Sequence, residues 1–269
     1  MSRFSIVRPV NGFMGFISTY ISAFIAIGYA VTSHLLPVTL AAFSVFLVTS
    51  GGNIINDIVD IDVDRVNHPN RPLVTGEIRV SSAKFIASAM FAVAIVLSLL
   101  ISFIATGIVV LAIMLLIFYE LYFKKTGLPG NTVISLLIGL IFVFGGISVS
   151  SYGKMIFLFV LAFTSNMSRE IIKDVEDVNG DKDRITFPKK YGVKKALLVS
   201  DIIIGVLILV SFIPYLLKIL SIYYLYVVIV ADAIFILSGI FSSRNPSIGQ
   251  KVSKYAMIVG MASFLAGAF

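Results

Sequence analysis

Apolar residues run through this chain in long blocks, broken at near-even intervals by short polar or Gly/Pro-containing stretches. Nine blocks stand out, roughly 11–34, 37–56, 83–103, 105–123, 131–150, 154–172, 195–217, 220–241 and 252–269. Each approaches the length of about 20 apolar residues that a helix needs to cross a hydrocarbon core. The breaks carry Pro37, Gly127 with Pro129 and Gly130, Gly153, Pro188, Pro214 and Asn245–Pro246, residues that end helices or turn the chain. Two connections, about 57–82 and 173–194, are long and polar. The pattern predicts an all-α integral membrane protein of nine transmembrane helices, one domain over residues 1–269, with a polar cap of loops on one face.

Composition supports this. The chain is 58% apolar and 13% charged, whereas a soluble domain is about a quarter charged. A larger core cannot absorb such an excess, so much apolar surface must face lipid. Met1 to Arg8 is short and basic, and the block after it is long enough to span rather than to be cleaved. Cysteine is absent, which excludes disulfide and thiolate chemistry.

A net charge of +7 suits a nucleic-acid partner, but its distribution explains it better. Lys154 and Lys218 are the only two of the 21 Lys and Arg that fall on one side of nine alternating spans. The rest lie at the N-terminus, in or near the two long loops, at Lys124–Lys125, or between Arg244 and Lys254. The positive-inside rule then places the N-terminus and both long loops in the cytoplasm and the C-terminus outside. Tyr223, Tyr224 and Tyr226 suit an outer interfacial belt.

The acids are few and clustered. Ten of the 14 Asp and Glu lie in two segments, Asn53 to Arg65 and Arg169 to Asp183. Asp57, Asp60 and Asp64 match Asp174, Asp177 and Asp181 at one offset (174−57, 177−60 and 181−64 are all 117). Each cluster ends a span running the same way, a parallel internal repeat. Positions i, i+3 and i+7 share a helical face. Three like charges there, at the end of an apolar span, need a counter-ion. A hard divalent cation fits, because Mg²⁺ takes carboxylate oxygen and shares its other sites with water and phosphate. Asn56 adds an amide beside the first triplet. Asp62, Glu176 and Asp183 fall off the shared face or outside the repeat and read as solvated.

The motifs Asn56-Asp57-x-x-Asp60-x-x-x-Asp64 and Asp174-x-x-Asp177-x-x-Gly180-Asp181 resemble those of the UbiA superfamily of intramembrane prenyltransferases. Arg8-Pro9-x-Asn11, Asn70-Arg71-Pro72-Leu73-x-x-Gly76 and Lys124-Lys125-x-Gly127-x-x-Gly130-Asn131 agree with it. Arg169-Glu170-Ile-x-Lys173-Asp174 is most similar to the archaeal ether-lipid branch. The resemblance implies Mg²⁺ gripping the diphosphate of an allylic prenyl donor, which ionises and is attacked by an acceptor. In the archaeal branch the donor is geranylgeranyl diphosphate and the acceptor geranylgeranylglyceryl phosphate. Carried over, Asn56, Asp60 and Asp64 hold one metal site and Asp177 and Asp181 the other, with Asp57 and Asp174 assisting. Arg71, Lys124 and Lys173 become phosphate contacts or inside-face cations. Arg8 and Asn11 touch an acceptor phosphate or cap the first helix, and Tyr119 lies near the allylic cation or at the interface.

Competing classes fit less well. A CDP-alcohol phosphotransferase needs an Asp-Gly/Ala-Arg order that is absent. A cation or phosphate transporter would place ionisable groups near the midplane, not at one face. An aromatic acceptor, as in quinone or haem pathways, remains the alternative within the superfamily. His34 and His68 make no metal spacing, and Asp201 and Asp232 read as helix–helix hydrogen-bonding groups. Gly145–Gly146 suits either close packing or a tunnel for an isoprenoid tail.

Overall fold

The computed structural model describes residues 3–178 and 185–268. Among them the chain is helical throughout, without strands. The helices are α1 (Pro9–Ile27), α2 (Leu35–Val59), α3 (Ile61–Asn67), α4 (Val80–Leu99), α5 (Phe103–Leu121), α6 (Leu128–Ser148), α7 (Met155–Glu176), α8 (Phe187–Tyr191), α9 (Val193–Ser211), α10 (Ile213–Leu216), α11 (Ile222–Ser242) and α12 (Pro246–Gly267). Nine of the described helices have 19 to 25 residues, about 28–38 Å at 1.5 Å per residue. One long helix falls on each apolar block.

The boundaries moved where local chemistry outweighed hydropathy. The first block was expected to reach residue 34, but α1 stops at Ile27 because Gly28 takes φ 61, a conformation open to glycine. A 3₁₀ turn, Gly28–His34, then leads into α2. The last block was expected from residue 252, yet α12 begins at Pro246. Asn245 caps it, accepting from Ile248 N at 3.2 Å, and proline suits the first helical position. α7 likewise runs to Glu176, four residues beyond the expected end, and so carries Arg169 to Glu176 of the second acidic segment on a helix.

Seven segments are long and apolar enough to cross a membrane. The first, Pro9–Val59, holds both α1 and α2, so eight of the nine long helices are included. α12 is the exception because Gln250, Lys251 and Lys254 dilute its first turns.

The exterior is greasy and the interior is made of small residues. Phe85, Phe103, Leu100 and Leu209 are exposed, while Ser22, Ser44, Ser50, Ser98, Ser135 and Ser200 are buried. Lipid removes the hydrophobic drive between helices, so close approach and interhelical hydrogen bonds hold them. Ser168 and Ser200 join α7 to α9 at 2.8 Å, and Ser238 joins Ser253 across α11 and α12 at 2.5 Å. Gly145 meets Thr19 O and the Ser22 side chain of α1, where an added Cβ would stand 2.6 to 2.7 Å away. The Gly145–Gly146 pair therefore serves packing. Tyr223 and Tyr226 are exposed, but Tyr224 is not part of a belt. It is buried, donates to Ser211 O at 2.6 Å and stacks on Phe264, because the helical turn that points its neighbours out points it inward.

The repeat extends beyond the acidic segments. The starts of α1, α2, α4 and α5 recur in α6, α7, α9 and α11 (128−9, 155−35, 193−80 and 222−103 give 119, 120, 113 and 119). Packing repeats as well. α1 lies on α2 as α6 lies on α7, and α2 on α4 as α7 on α9. α12 stands where a third copy would begin, and it closes the ring against α1 and α7. Both halves thus bring the ends of α2 and α7 to one end of the bundle.

Candidate active site

The first cluster is built at the end of α2. Asn56 and Asp57 lie in its last turn, and Asp60 follows as the C-cap. The main-chain ladder continues through this bend, from Asp60 N to Asn56 O at 2.9 Å and from Asp64 N to Asp60 O at 2.8 Å. Asp57, Asp60 and Asp64 therefore keep a helical phase, and one guanidinium can bridge its two ends. Arg71 bonds Asp57 at 3.0 Å and also Asp64. Asp57 and Asp64 are each only 4% exposed, which such charges tolerate only when paired.

Three other elements close on the same group. Arg8 precedes α1 in a left-handed conformation, φ 46, and its side chain reaches Asp57 and, at 3.5 Å, Asn56. It does not cap α1. Lys124, in the 3₁₀ turn Phe123–Lys125, donates to Asp60 at 2.6 Å and to Glu120 at 2.7 Å. Glu120, buried at the end of α5, also accepts from the Asn56 amide at 3.0 Å. Glu120 was missed in the sequence. Its signal was an acid ending an apolar span four residues before a lysine, where i and i+4 meet.

The second cluster ends α7. Asp174 accepts from Asn131 Nδ2 at 2.8 Å, and Asp177 is the C-cap, at the position matching Asp60. Arg169 pairs with Glu170 beside it, and Lys173 shares the last turn. Asp181 and Asp183 lie outside the described residues. In both halves the start of the preceding helix grips the first acid: Arg8 ahead of α1 for Asp57, Asn131 in α6 for Asp174.

One short segment ties the clusters together. Lys124 holds Asp60 and Asn131, seven residues on (131−124), holds Asp174. Among the described residues no three carboxylates draw together as a metal cage. On α2 Asp57 and Asp64 are bridged by Arg71, and Asp60 is met by Lys124. The described donors are carboxylate and amide oxygens, the type a hard cation prefers. His34 and His68 are exposed; His68 joins the site only through its main chain, whose N–H donates to Asp64 O at 2.8 Å and whose carbonyl accepts from Arg71 N at 3.0 Å.

The remaining expected residues are placed more loosely. Tyr119 is half-buried on α5 and packs towards Gly130 at the start of α6. Asn11 is exposed on the first turn of α1. Asp62 is exposed and pairs with Arg65, and Glu176 is exposed, as solvated acids would be. Asp232 accepts from Ser211 of α9 at 2.7 Å, the helix–helix role expected of it.

Comparison with known proteins bears on this site directly. The pattern of the UbiA prenyltransferase family matches residues 16–264. The chain belongs to this family. Among UbiA prenyltransferases it is 37% identical to the digeranylgeranylglyceryl phosphate synthase of Methanosphaera stadtmanae, over 98% of this chain and 97% of that one. It is 36% identical to the Methanocaldococcus jannaschii protein of the same name, over 90% and 89%. A solved structure concerning digeranylgeranylglyceryl phosphate synthase in membranes superposes with TM-score 0.84 at 34% identity, covering 98% of this chain and 96% of that one. A UbiA homologue from Archaeoglobus fulgidus, bound to DMAPP and Mg²⁺, shares the fold at TM-score 0.65 and 18% identity, over 97% and 98%. The family expected from the two acidic motifs is thus the one found, and this UbiA prenyltransferase is a multi-pass membrane protein.

Proposed function

We propose that this UbiA-family enzyme transfers a geranylgeranyl group from geranylgeranyl diphosphate to the hydroxyl of geranylgeranylglyceryl phosphate, releasing diphosphate and forming an ether. The observation that carries this reading is the segment from Lys124 to Asn131, which joins two acidic helix ends into one site. High-coverage relatives named for that product support the choice of acceptor.

The donor set suits Mg²⁺, with Asn56, Asp57, Asp60 and Asp64 from the first motif and Asp174, Asp177 and Asp181 from the second. When bound, the ion supplies positive charge against the leaving diphosphate. The protein's own part is to hold that leaving group and present the acceptor. Arg8, Arg71 and Lys124 add fixed positive charge where negative charge develops as the allylic C–O bond breaks, and Lys173 is kept for the acceptor's phosphate. Tyr119 offers its ring to the allylic cation, and Asn11 lies where an acceptor headgroup enters. The acceptor oxygen then bonds to the allylic carbon, and its proton is lost.

All nine long helices span the bilayer in this reading. The cation-rich loops form a polar cap on the cytoplasmic side, with the N-terminus inside and the C-terminus outside. The site then opens to the leaflet in which both lipid substrates reside.

The test uses purified protein in detergent with Mg²⁺, labelled geranylgeranyl diphosphate, and either geranylgeranylglyceryl phosphate or an aromatic acid. Ether product with the first, lost on chelation, is expected. Product only with the aromatic acid refutes the acceptor, and no diphosphate release with either refutes the enzyme.

A further inference from the structure

The cations around the two clusters are not equivalent. Arg8, Arg71 and Lys124 are each committed to carboxylates. On the α7 side, Lys173 and Lys254 make no ion pair among the described residues. Lys254 belongs to α12, which packs on α7, and its electrostatic neighbours are Arg169, Lys173, Glu170 and Glu176.

Its depth is unusual for a lysine. Lys254 stands eight residues into α12 (254−246) and Arg169 seven before the end of α7 (176−169), so both lie about 10–12 Å below the acidic end. A lysine facing lipid at that depth would be costly. Gln250, Lys254, Met257 and Met261 follow i, i+4, i+7 and i+11, one stripe of the helix. Met257 packs on the main core, and Met261 Sδ accepts from Ser18 of α1 at 3.3 Å. The stripe therefore turns towards α1 and α7, and Lys254, although exposed, stands beside Arg169, Lys173, Glu170 and Glu176 of α7.

Two buried polar atoms along this wall lack partners. Gln250 Oε1, one turn from Lys254, has none, and neither has Arg169 Nε across on α7. Buried polar atoms are ordinarily satisfied, so the unmet Arg169 Nε–H marks a place for an acceptor group; Gln250 can meet such a group through its amide Nε2, Oε1 being itself an acceptor. Three cations, Arg169, Lys173 and Lys254, face two carboxylates, the buried Glu170 and the exposed Glu176, and the surplus positive charge makes that group an anion.

We infer that Lys254, with Lys173 and Arg169, forms a subsite that takes the phosphate monoester of the acceptor lipid, apart from the diphosphate held between the acidic clusters. This rests on the acceptor assigned above. The subsite separates the two anions: the diphosphate meets the carboxylate face, and the monoester meets a wall where the cations outnumber the acids. Selection for a phosphorylated acceptor then follows from charge.

The experiment compares wild type, Lys254→Gln and Lys254→Arg with geranylgeranylglyceryl phosphate and with its dephosphorylated alcohol. Lys254→Gln should raise KM for the phosphorylated acceptor about tenfold or more, the loss of one charged hydrogen bond, with a far smaller change in the donor's KM. Its preference for the phosphorylated acceptor should fall, and Lys254→Arg should restore most of it. An equal rise in the donor's KM would assign Lys254 to the diphosphate and overturn the inference, as would an unaltered acceptor preference. A Lys254→Gln protein that is not monodisperse in detergent is replaced by Gln250→Leu, which should erode the same preference; a retained preference there also overturns it. Failure of the wild type to use geranylgeranylglyceryl phosphate at all refutes the proposed function, and the subsite with it.

Discussion

Replacing Lys124 by methionine tests whether its first duty is to the protein's own carboxylates. Its side chain is 6% exposed and lies 2.6 Å from Asp60 and 2.7 Å from Glu120, itself 6% exposed. Methionine keeps much of the volume and removes the charge. Glu120 keeps the Asn56 amide at 3.0 Å, but its charge loses its counter-ion. Removing one partner of a buried ion pair costs roughly 3–5 kcal/mol, much of it the stranded charge. At roughly 2–4 °C per kcal/mol, the scale for domains a little smaller than this chain, the apparent unfolding midpoint should fall by roughly 10 °C. The double variant Lys124→Met/Glu120→Gln removes the stranded charge as well and should recover part of the loss. A coupling of about 0.5–3 kcal/mol is the range for residues in direct contact. Thermal unfolding of the four proteins in one detergent, without substrate, supplies the cycle. A single variant as stable as wild type, or a double variant no better than the single, would show that the pair does not hold this corner together.

Three further outcomes are expected. Asp60→Ala and Asp177→Ala should abolish diphosphate release while eluting as wild type in size exclusion, and wild-type turnover in both would refute their metal roles. Asn131→Ala removes the amide that holds Asp174 at 2.8 Å; it should cost about 1.5–3 kcal/mol as a hydrogen bond to a charged group and raise the Mg²⁺ concentration needed for half-maximal turnover. Gly145→Ala sets a methyl 2.6 Å from Thr19 O and should destabilise by about 1–3 kcal/mol, the range for overpacking, which a detergent melt would detect.

The Lys254 inference also bears on how the site sorts its substrates. Both are isoprenoid lipids with anionic heads, so hydrophobic contact discriminates poorly between them. Placing most carboxylates with their cations on one side, and surplus cations on another, gives each head a different electrostatic partner.

Much of this molecule is written in hydrophobic order. Lipid demands that every backbone group be satisfied within its own segment, so apolar blocks of span length can only be helices, and nine were legible. The acidic face was equally legible, because the helical period alone brings Asp57, Asp60 and Asp64 to one side. The repeat followed from the 117-residue register of those acids, and the helix starts extended it to four helices per half.

Partnership was not legible. Arg8 and Asp57 are 49 residues apart, Lys124 and Asp60 64, and Asn131 and Asp174 43. Such pairs exist because α1, α2, α6 and α7 pack where small residues let them approach, and a one-dimensional pattern holds no distance across that packing. The same reason hid Glu120, which α2 joins to the site through Asn56, and the place of Lys254, which read as an inside-face cation until α12 set it beside α7. The sequence by itself determined which residues carry charge and which helical face presents it. The tertiary structure decided which charges neutralise one another and which stay without an ion pair, because burial makes an unpaired charge costly only where helices meet.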